Sequence, residues 1–347
     1  MRPIRTAHPD TPTTDASATA VERRTLLAAA GLGLILAPAV AARTPPFATA
    51  TSGPLGPLSP AWHAAETLPL WQGAPPETGF RPQPLPPGSP PGFFRNVANP
   101  TLHVFVPRER NGRAVLLIPG GAYTFIVGTH EGGDTAQALA ARGYTVFVLI
   151  HRLPGEGWSH RSIVPLQDAQ RAMRVIRAEA ARYRVDPAKV AVLGYSAGGH
   201  LAASLATGFA EPTYAGRDAI DRQDPRPSAA GLIYPVITLV PEYTNQQTAA
   251  SLLGPAPDAA LIAQRSPDGH VDATTPPTFL AHALDDPAVP PENSFRMLAA
   301  LRAARIAAEA HFFEHGGHGF GLGTPGAPNA QWLALFDAWL GQHMAAK

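Results

Sequence analysis

The chain has no cysteine among its 347 residues. That excludes disulfide staples, thiol nucleophiles and Cys-ligated metals, but it leaves the compartment open. An excess of charge of either sign is also lacking, with 27 Lys and Arg against 26 Asp and Glu. A polyphosphate backbone or an anionic bilayer selects for a basic surplus, so no nucleic-acid partner is expected. Histidines with metal-ligand spacing are absent, and neither a metal nor another cofactor is expected. The apolar run near the N-terminus is too short to remain in a bilayer as a permanent anchor.

Apolar residues make up 45% of the chain, enough for a sizeable core in one large domain or two small ones. The 39 prolines are unevenly placed. They crowd between Pro45 and Pro100, in stretches such as Pro82-Gln83-Pro84-Leu85-Pro86-Pro87 that cannot form a helix or a central strand. Residues 42–100 are therefore expected to be an extended arm, partly laid over the next domain and partly mobile. Residues 1–41 have the layout of an export signal. A polar start leads to Glu22-Arg23-Arg24-Thr25-Leu26-Leu27, an apolar run continues to Leu36, and Ala39-Val40-Ala41 is a small-x-small cleavage site. The arginine pair and the modest hydrophobicity resemble a twin-arginine (Tat) signal, which implies a periplasmic or secreted location. An ordinary Sec signal and an uncleaved amphipathic helix are the alternatives. Cleavage after residue 41 leaves 23 basic and 23 acidic residues and no stable membrane anchor.

From residue 101 to 347 apolar runs alternate with helical patterns. Strands are expected at Leu102–Val106, Ala114–Ile118, Tyr144–Ile150, Lys189–Leu193, Gly231–Tyr234, Thr278–Ala281 and Ala310–Phe313. Helices are expected near Glu131–Arg142, Pro165–Tyr183, Glu292–Ala304 and Gln331–His343, with another after Gly199. Such alternation predicts an α/β fold with a mostly parallel central sheet and helices on both faces. Asn111-Gly112 is a hairpin signal between the first two strands. The polar breaks at Phe209–Ala229 and Glu242–Pro277 read as excursions over the carboxyl end of the sheet, where ligands bind in open α/β folds.

The chain is organised around Gly194-Tyr195-Ser196-Ala197-Gly198-Gly199-His200. This fits G-x-S-x-G, in which a serine sits on a strained turn between strand and helix and its neighbours must be small. A serine hydroxyl needs a base to take its proton, and the base needs an acid to fix its tautomer. Both follow in the order this architecture requires. The acid lies in His282-Ala283-Leu284-Asp285-Asp286-Pro287-Ala288-Val289-Pro290, where D-x-x-V-P favours Asp286 over Asp285; the alternative is that both cap the next helix. The base lies in Glu314-His315-Gly316-Gly317-His318-Gly319-Phe320, where flanking glycines favour His318 over His315. His103, His151, His200 and His311 read as ordinary surface or core residues. For the oxyanion of an acyl-transfer intermediate, the expected donors are the N–H groups of Ala197, Gly121 and Ala122. Tyr123 and Trp158 are placed to flank a sugar ring, with core packing an equal alternative for Tyr123. Asp168 and Arg152 read as a structural ion pair beneath the site.

With those stretches in hand, the chain resembles α/β-hydrolase-fold serine esterases, in particular exported acetylxylan-esterase-like carbohydrate esterases. The resemblance runs from about Leu70 onward. It includes Leu70-Trp71-Gln72-Gly73-Ala74-Pro75, Ile118-Pro119-Gly120-Gly121-Ala122-Tyr123, Arg152-Leu153-Pro154 and Pro165-Leu166-Gln167-Asp168, besides the serine and histidine loops. Where related esterases carry His-Gly-Gly-Gly, this chain has Pro119 in place of the histidine and Ala122 in place of the third glycine. The resemblance implies hydrolysis of acetyl esters on xylan or other plant saccharides, through Ser196, Asp286 and His318. General carboxylesterase activity, a prolyl-oligopeptidase-like peptidase and a non-catalytic binding protein are the rival readings. The peptidase class carries a propeller for which residues 42–100 are too short, and a binding protein of this kind usually lacks a triad member.

Overall fold

Continuous runs of Val, Leu and Ile form strands that are buried on both faces, and the chain alternates them with helices. The computed structural model describes residues 57–86 and 88–344. The export signal and the start of the arm lie outside the described residues.

Ten strands are present among the described residues: β1 (Glu66–Pro69), β2 (Phe93–Phe94), β3 (Thr101–Phe105), β4 (Ala114–Ile118), β5 (Ile126–Val127), β6 (Thr145–Ile150), β7 (Val190–Tyr195), β8 (Ala230–Ile233), β9 (Thr278–Ala283) and β10 (Ala308–Phe313). Eight of them make one sheet in the order β1-β3-β6-β4-β7-β8-β9-β10; β2 and β5 pair separately. From β6 to β10 all pairs are parallel, while β3 runs antiparallel to both β1 and β6. Alternate side chains of each strand enter two cores. On β7, Val190 and Val192 face a core that includes the helices Val164–Ala178, Ser196–Gly208 and Glu292–Ala303. Ala191, Leu193 and Tyr195 face the other, built with Thr135–Ala140 and Trp332–His343. No helix among the described residues is long and apolar enough to cross a membrane.

Three expectations change. Asn111-Gly112 does not close a hairpin, because β6 lies between β3 and β4. The turn instead carries the chain across the ends of neighbouring strands, with the Asn111 N–H donating to the Gly143 carbonyl and the Asp186 N–H to that of Gly112. Residues 209–229 do not lie over the carboxyl end of the sheet. The helix Ser196–Gly208 returns the chain to the amino end, where the Ser228 N–H bonds the carbonyl of Val190, the first residue of β7. Finally, part of the segment expected as an arm belongs to the sheet. Pro60–Ala64 is helical and capped by Ser59, and β1 is an edge strand. The proline-rich piece beyond it is irregular and held from outside, as where the Arg81 N–H donates to the Glu156 carbonyl at 2.7 Å.

Candidate active site

Three carboxyl-end connections of the sheet converge. The turn after β7 brings Ser196, at the first position of its helix and with φ +51°. That angle is strained for a residue with a Cβ, and the neighbouring glycines make it attainable. A Cβ on Gly194 would lie 2.2 Å from the Gly198 carbonyl oxygen, and one on Gly198 would lie 2.2 Å from that of Ile118. The turn is therefore pressed against the end of β4 and against the loop that follows it.

The loop after β10 brings His318, between Gly317 and Gly319, both at positive φ. Its Nε2 lies 2.9 Å from Ser196 Oγ, and its Nδ1 lies 2.7 Å from Asp286 Oδ2. A carboxylate only accepts, so Nδ1 carries the proton and Nε2 is left to accept from the serine hydroxyl. Tyr234, on the end of β8, packs edge-on against the His318 ring with centroids 5.1 Å apart.

The loop after β9 brings two aspartates to different places. The Asp286 side chain is fully buried, and its Oδ1 accepts the N–H groups of Ala288 at 2.9 Å and Val289 at 2.8 Å. Burial opposes its charge, but hydrogen bonds from His282, His318 and Val289, together with the His318 charge, hold the carboxyl well below the usual range. The Asp285 side chain is exposed; it accepts the Gly317 N–H at 2.8 Å and pairs with His315 at 3.3 Å. It braces the histidine loop from the solvent side. Neither aspartate caps the helix Glu292–Ala303.

The loop Pro119–Ala122 forms the opposite wall. A Cβ on Gly120 would lie 2.9 Å from Ser196 Cβ, and one on Gly121 would lie 2.1 Å from the Phe125 carbonyl oxygen. Gly121 has φ +130°, which only glycine adopts freely, and Ala122 continues the left-handed course at φ +51°. The Gly120 N–H is committed to Glu131 Oε2 at 2.7 Å. Those of Gly121 and Ala122 have no acceptor among the described residues. Ala197 is the second residue of its helix, where an N–H has no intrahelical partner. Three donors are thus available beside Ser196.

The two aromatic side chains expected to flank a sugar are buried. Tyr123 is 2% exposed and its hydroxyl is bonded to His200 Nδ1 at 2.9 Å, so it packs the core beneath the loop Pro119–Ala122. His200 passes its other nitrogen to the Arg265 carbonyl at 2.8 Å. Burial is the main cause that lowers its pKa to about 4, with the Arg265 charge assisting against that hydrogen bond. Trp158 is 7% exposed, packed on Phe80 and with the Arg152 guanidinium 5.0 Å from its ring centre. Arg152 and Asp168 form a fully buried ion pair at 2.8 Å, and Trp71 Nε1 donates to the same carboxylate at 3.0 Å.

Sequence reasoning passed over two buried residues. Glu131 holds the loop Pro119–Ala122 through Gly120 and accepts the Tyr234 hydroxyl at 2.9 Å. His282 touches Asp286 at 3.2 Å. Glu131 opens an expected helix and His282 precedes the aspartate pair, and neither position gives a sign in sequence that its side chain turns inward. Among the described residues no group of three His, Asp or Glu side chains is disposed to hold a metal.

The BD-FAE family model matches residues 102–301, a span that holds Ser196 and Asp286 and ends before His318. The chain is 31% identical over 240 residues to an acetylxylan esterase of Xylanibacter ruminicola, covering 68% of this chain and 47% of that protein. It is 35% identical over 210 residues to endo-1,4-beta-xylanase B of Butyrivibrio fibrisolvens, covering 59% of this chain and 32% of that protein. The match thus spans about half of the first relative and a third of the second. A solved acetyl ester-xyloside bifunctional hydrolase from Caldicellulosiruptor lactoaceticus has a TM-score of 0.67 at 32% identity, covering 80% of this chain and 96% of that one. With this sheet order, the serine turn after β7 and a family match over more than half its length, the chain belongs to the BD-FAE family and has the α/β-hydrolase fold.

Proposed function

We propose that the protein is a serine esterase that hydrolyses short-chain, acetyl esters of xylan or other plant saccharides through an acyl-enzyme. The observation that carries this reading is the continuous alignment of Asp286, His318 and Ser196 at 2.7 and 2.9 Å. His318 Nε2 takes the serine proton as Oγ attacks the ester carbonyl. The oxyanion forms against the N–H groups of Gly121, Ala122 and Ala197. His318 then returns the proton to the departing alcohol oxygen, and water repeats the cycle on the acyl-enzyme. Asp286 stays ionised throughout and holds the tautomer.

The acetyl and saccharide parts of the reading draw on the names of the similar proteins and on the wall of the site. Thr124, three residues beyond Gly121, accepts from Gln247 at 3.2 Å and meets Ser251 at 3.1 Å. The helix Gln246–Leu253 therefore sets hydroxyls and an amide next to the oxyanion loop, which suits a polar alcohol better than a fatty chain. Each methylene excluded from a small acyl pocket discriminates by about 1–3 kcal/mol. In a panel of acetyl, butyryl and octanoyl esters, kcat/KM should fall steeply with chain length, and acetate should be released from acetylated xylan. Equal activity on octanoyl esters would remove the acetyl assignment and leave a general carboxylesterase. A fluorophosphonate that fails to label Ser196 would remove the serine mechanism altogether. The reading extends to export: Arg23-Arg24 and the apolar run after it support a twin-arginine route to the periplasm or medium.

A further inference from the structure

Asp286 Oδ2 is shared by two imidazoles. His318 Nδ1 reaches it at 2.7 Å, and His282 Nε2 reaches it at 3.2 Å from the other side of the loop. His282 lies in β9 and is fully buried. The same Nε2 is 3.1 Å from the Val289 carbonyl oxygen. Carbonyl and carboxylate both accept only, so Nε2 carries the proton and divides it between them. Nδ1 is then free to accept from the Ser294 hydroxyl at 2.8 Å, and Ser294 is itself fully buried in the helix Glu292–Ala303. Every polar atom of this imidazole is used, and its tautomer is fixed from both ends.

We infer that His282 is a positioning residue, which sets the plane of the Asp286 carboxylate and takes part of the charge on the oxygen that faces His318. This rests on the triad reading above. Two backbone N–H groups hold Oδ1, so without His282 the only remaining donor on Oδ2 is His318 itself. The carboxylate could then turn about its Oδ1 anchors and carry His318 away from Ser196. The charge that His282 had shared would fall wholly on His318 and favour its imidazolium. The titratable groups facing this network are Asp286 and His318, with Tyr234 against the His318 ring and Glu131 behind it. Ser294 and Phe312, the residue beside His282 on β10, are uncharged, and Asp285 and His315 pair with each other outside.

The test compares His282→Leu, which removes the donor, with His282→Gln, which keeps an N–H at the Nε2 position, on a short acyl ester across pH. In His282→Leu, kcat should fall roughly 10- to 100-fold with KM little changed, as when the outer hydrogen-bond partner of a metal ligand is lost. The acid limb of kcat/KM should also move to higher pH. His282→Gln should recover most of the rate and return the limb. A folded His282→Leu with wild-type kcat and limb overturns the inference, and so does a His282→Gln no better than His282→Leu. If His282→Leu does not fold, Ser294→Ala decides, because it removes the hydrogen bond that orients the ring from its Nδ1 side; unchanged kcat and pH limb there overturn the inference. Asp286→Asn is measured beside them. If it retains activity the triad reading itself fails, and the role of His282 fails with it. If it is inactive while His282→Leu is unaffected, only the role of His282 fails.

Discussion

Ser196 has its left-handed backbone angle because Gly194 and Gly198 let strand, turn and helix close to within a carbonyl contact. Ser196→Ala keeps that geometry and removes only the hydroxyl proposed as nucleophile. It should lower turnover by about 10⁴-fold or more while the thermal midpoint stays near wild type. A mutant retaining a tenth of the activity would contradict an acyl-enzyme. Asp286→Asn should cost roughly 10⁴-fold, because an amide offers His318 the wrong partner. Asp285→Asn should cost roughly tenfold at most, since it braces the loop from outside. Parallel kinetics on the two variants check the order. At this scale the meeting of Ser196, Asp286 and His318 was legible because each sits in a short glycine- or proline-marked loop at a set place after a strand. Tyr123 and Trp158 could not be placed: an aromatic residue in a loop has the same sequence whether its ring faces solvent or, as here, lies in the core. Glu131 and His282 were invisible for the complementary reason, since burying a polar side chain leaves no periodic pattern.

The elements were legible wherever periodicity alone decides them, and misplaced where topology does. Asn-Gly is a strong hairpin signal between neighbouring strands, but β6 enters between β3 and β4 from 27 residues beyond β4 and turns a hairpin into a crossing. Composition sets the polar segment 209–229 on the ligand side, because it does not record which end of a sheet a helix returns to. At the amino end that segment has a structural task. The helix Val164–Ala178 presents Arg171, 1% exposed, to Asp218 at 2.6 Å, Asp221 at 2.8 Å and the Leu70 carbonyl at 2.8 Å. The hydrogen bond from Arg171 is the chief cause that holds the Asp218 carboxyl below its ordinary value. At Asp221 burial pulls the other way and is outweighed by Arg217, Tyr214 and Arg171. Arg171→Met should destabilise the protein by about 3 kcal/mol at neutral pH, because it leaves two carboxylates without their cation. Both folded carboxyls are depressed, so the contribution is whole above the ordinary carboxyl value of 3.8 and fades as pH falls below it. Urea titrations at pH 7 and pH 3 should show the gap between mutant and wild type narrowing.

For the whole molecule, the acid side of the stability curve should begin earlier than the carboxylates alone dictate. His200 is buried and held neutral down to about pH 4, against an ordinary value of 6.5. Below pH 6.5 the unfolded chain takes up that proton and the folded chain does not, so stability is lost as pH falls from 6.5 to 4, by about 3 kcal/mol for this group. His200→Gln, a neutral replacement, should flatten the dependence of the urea midpoint over that window; an unchanged slope would mean that the proton is taken up elsewhere. If the proposed twin-arginine route holds, replacing Arg23 and Arg24 by lysines in the full chain should retain the protein in the cytoplasm. Normal export of the double variant, read by cell fractionation, would point to the Sec route.

The sheet also has a direction in time. From β4 onward it is extended on one side by β7, β8, β9 and β10 in the order of the chain. On the proposed mechanism the nucleophile is supplied after β7, its acid after β9 and its base after β10, with a sequence separation of 122 from Ser196 to His318. A chain synthesised from its N-terminus therefore carries an inert serine until the last strand has docked and the histidine loop has folded back across three neighbours. Recovery of esterase activity during refolding should coincide with the final packing event, later than the return of far-ultraviolet dichroism from the earlier helices. On the proposed mechanism, hydrolysis certifies completed assembly, because the imidazole that activates Ser196 arrives with the last strand.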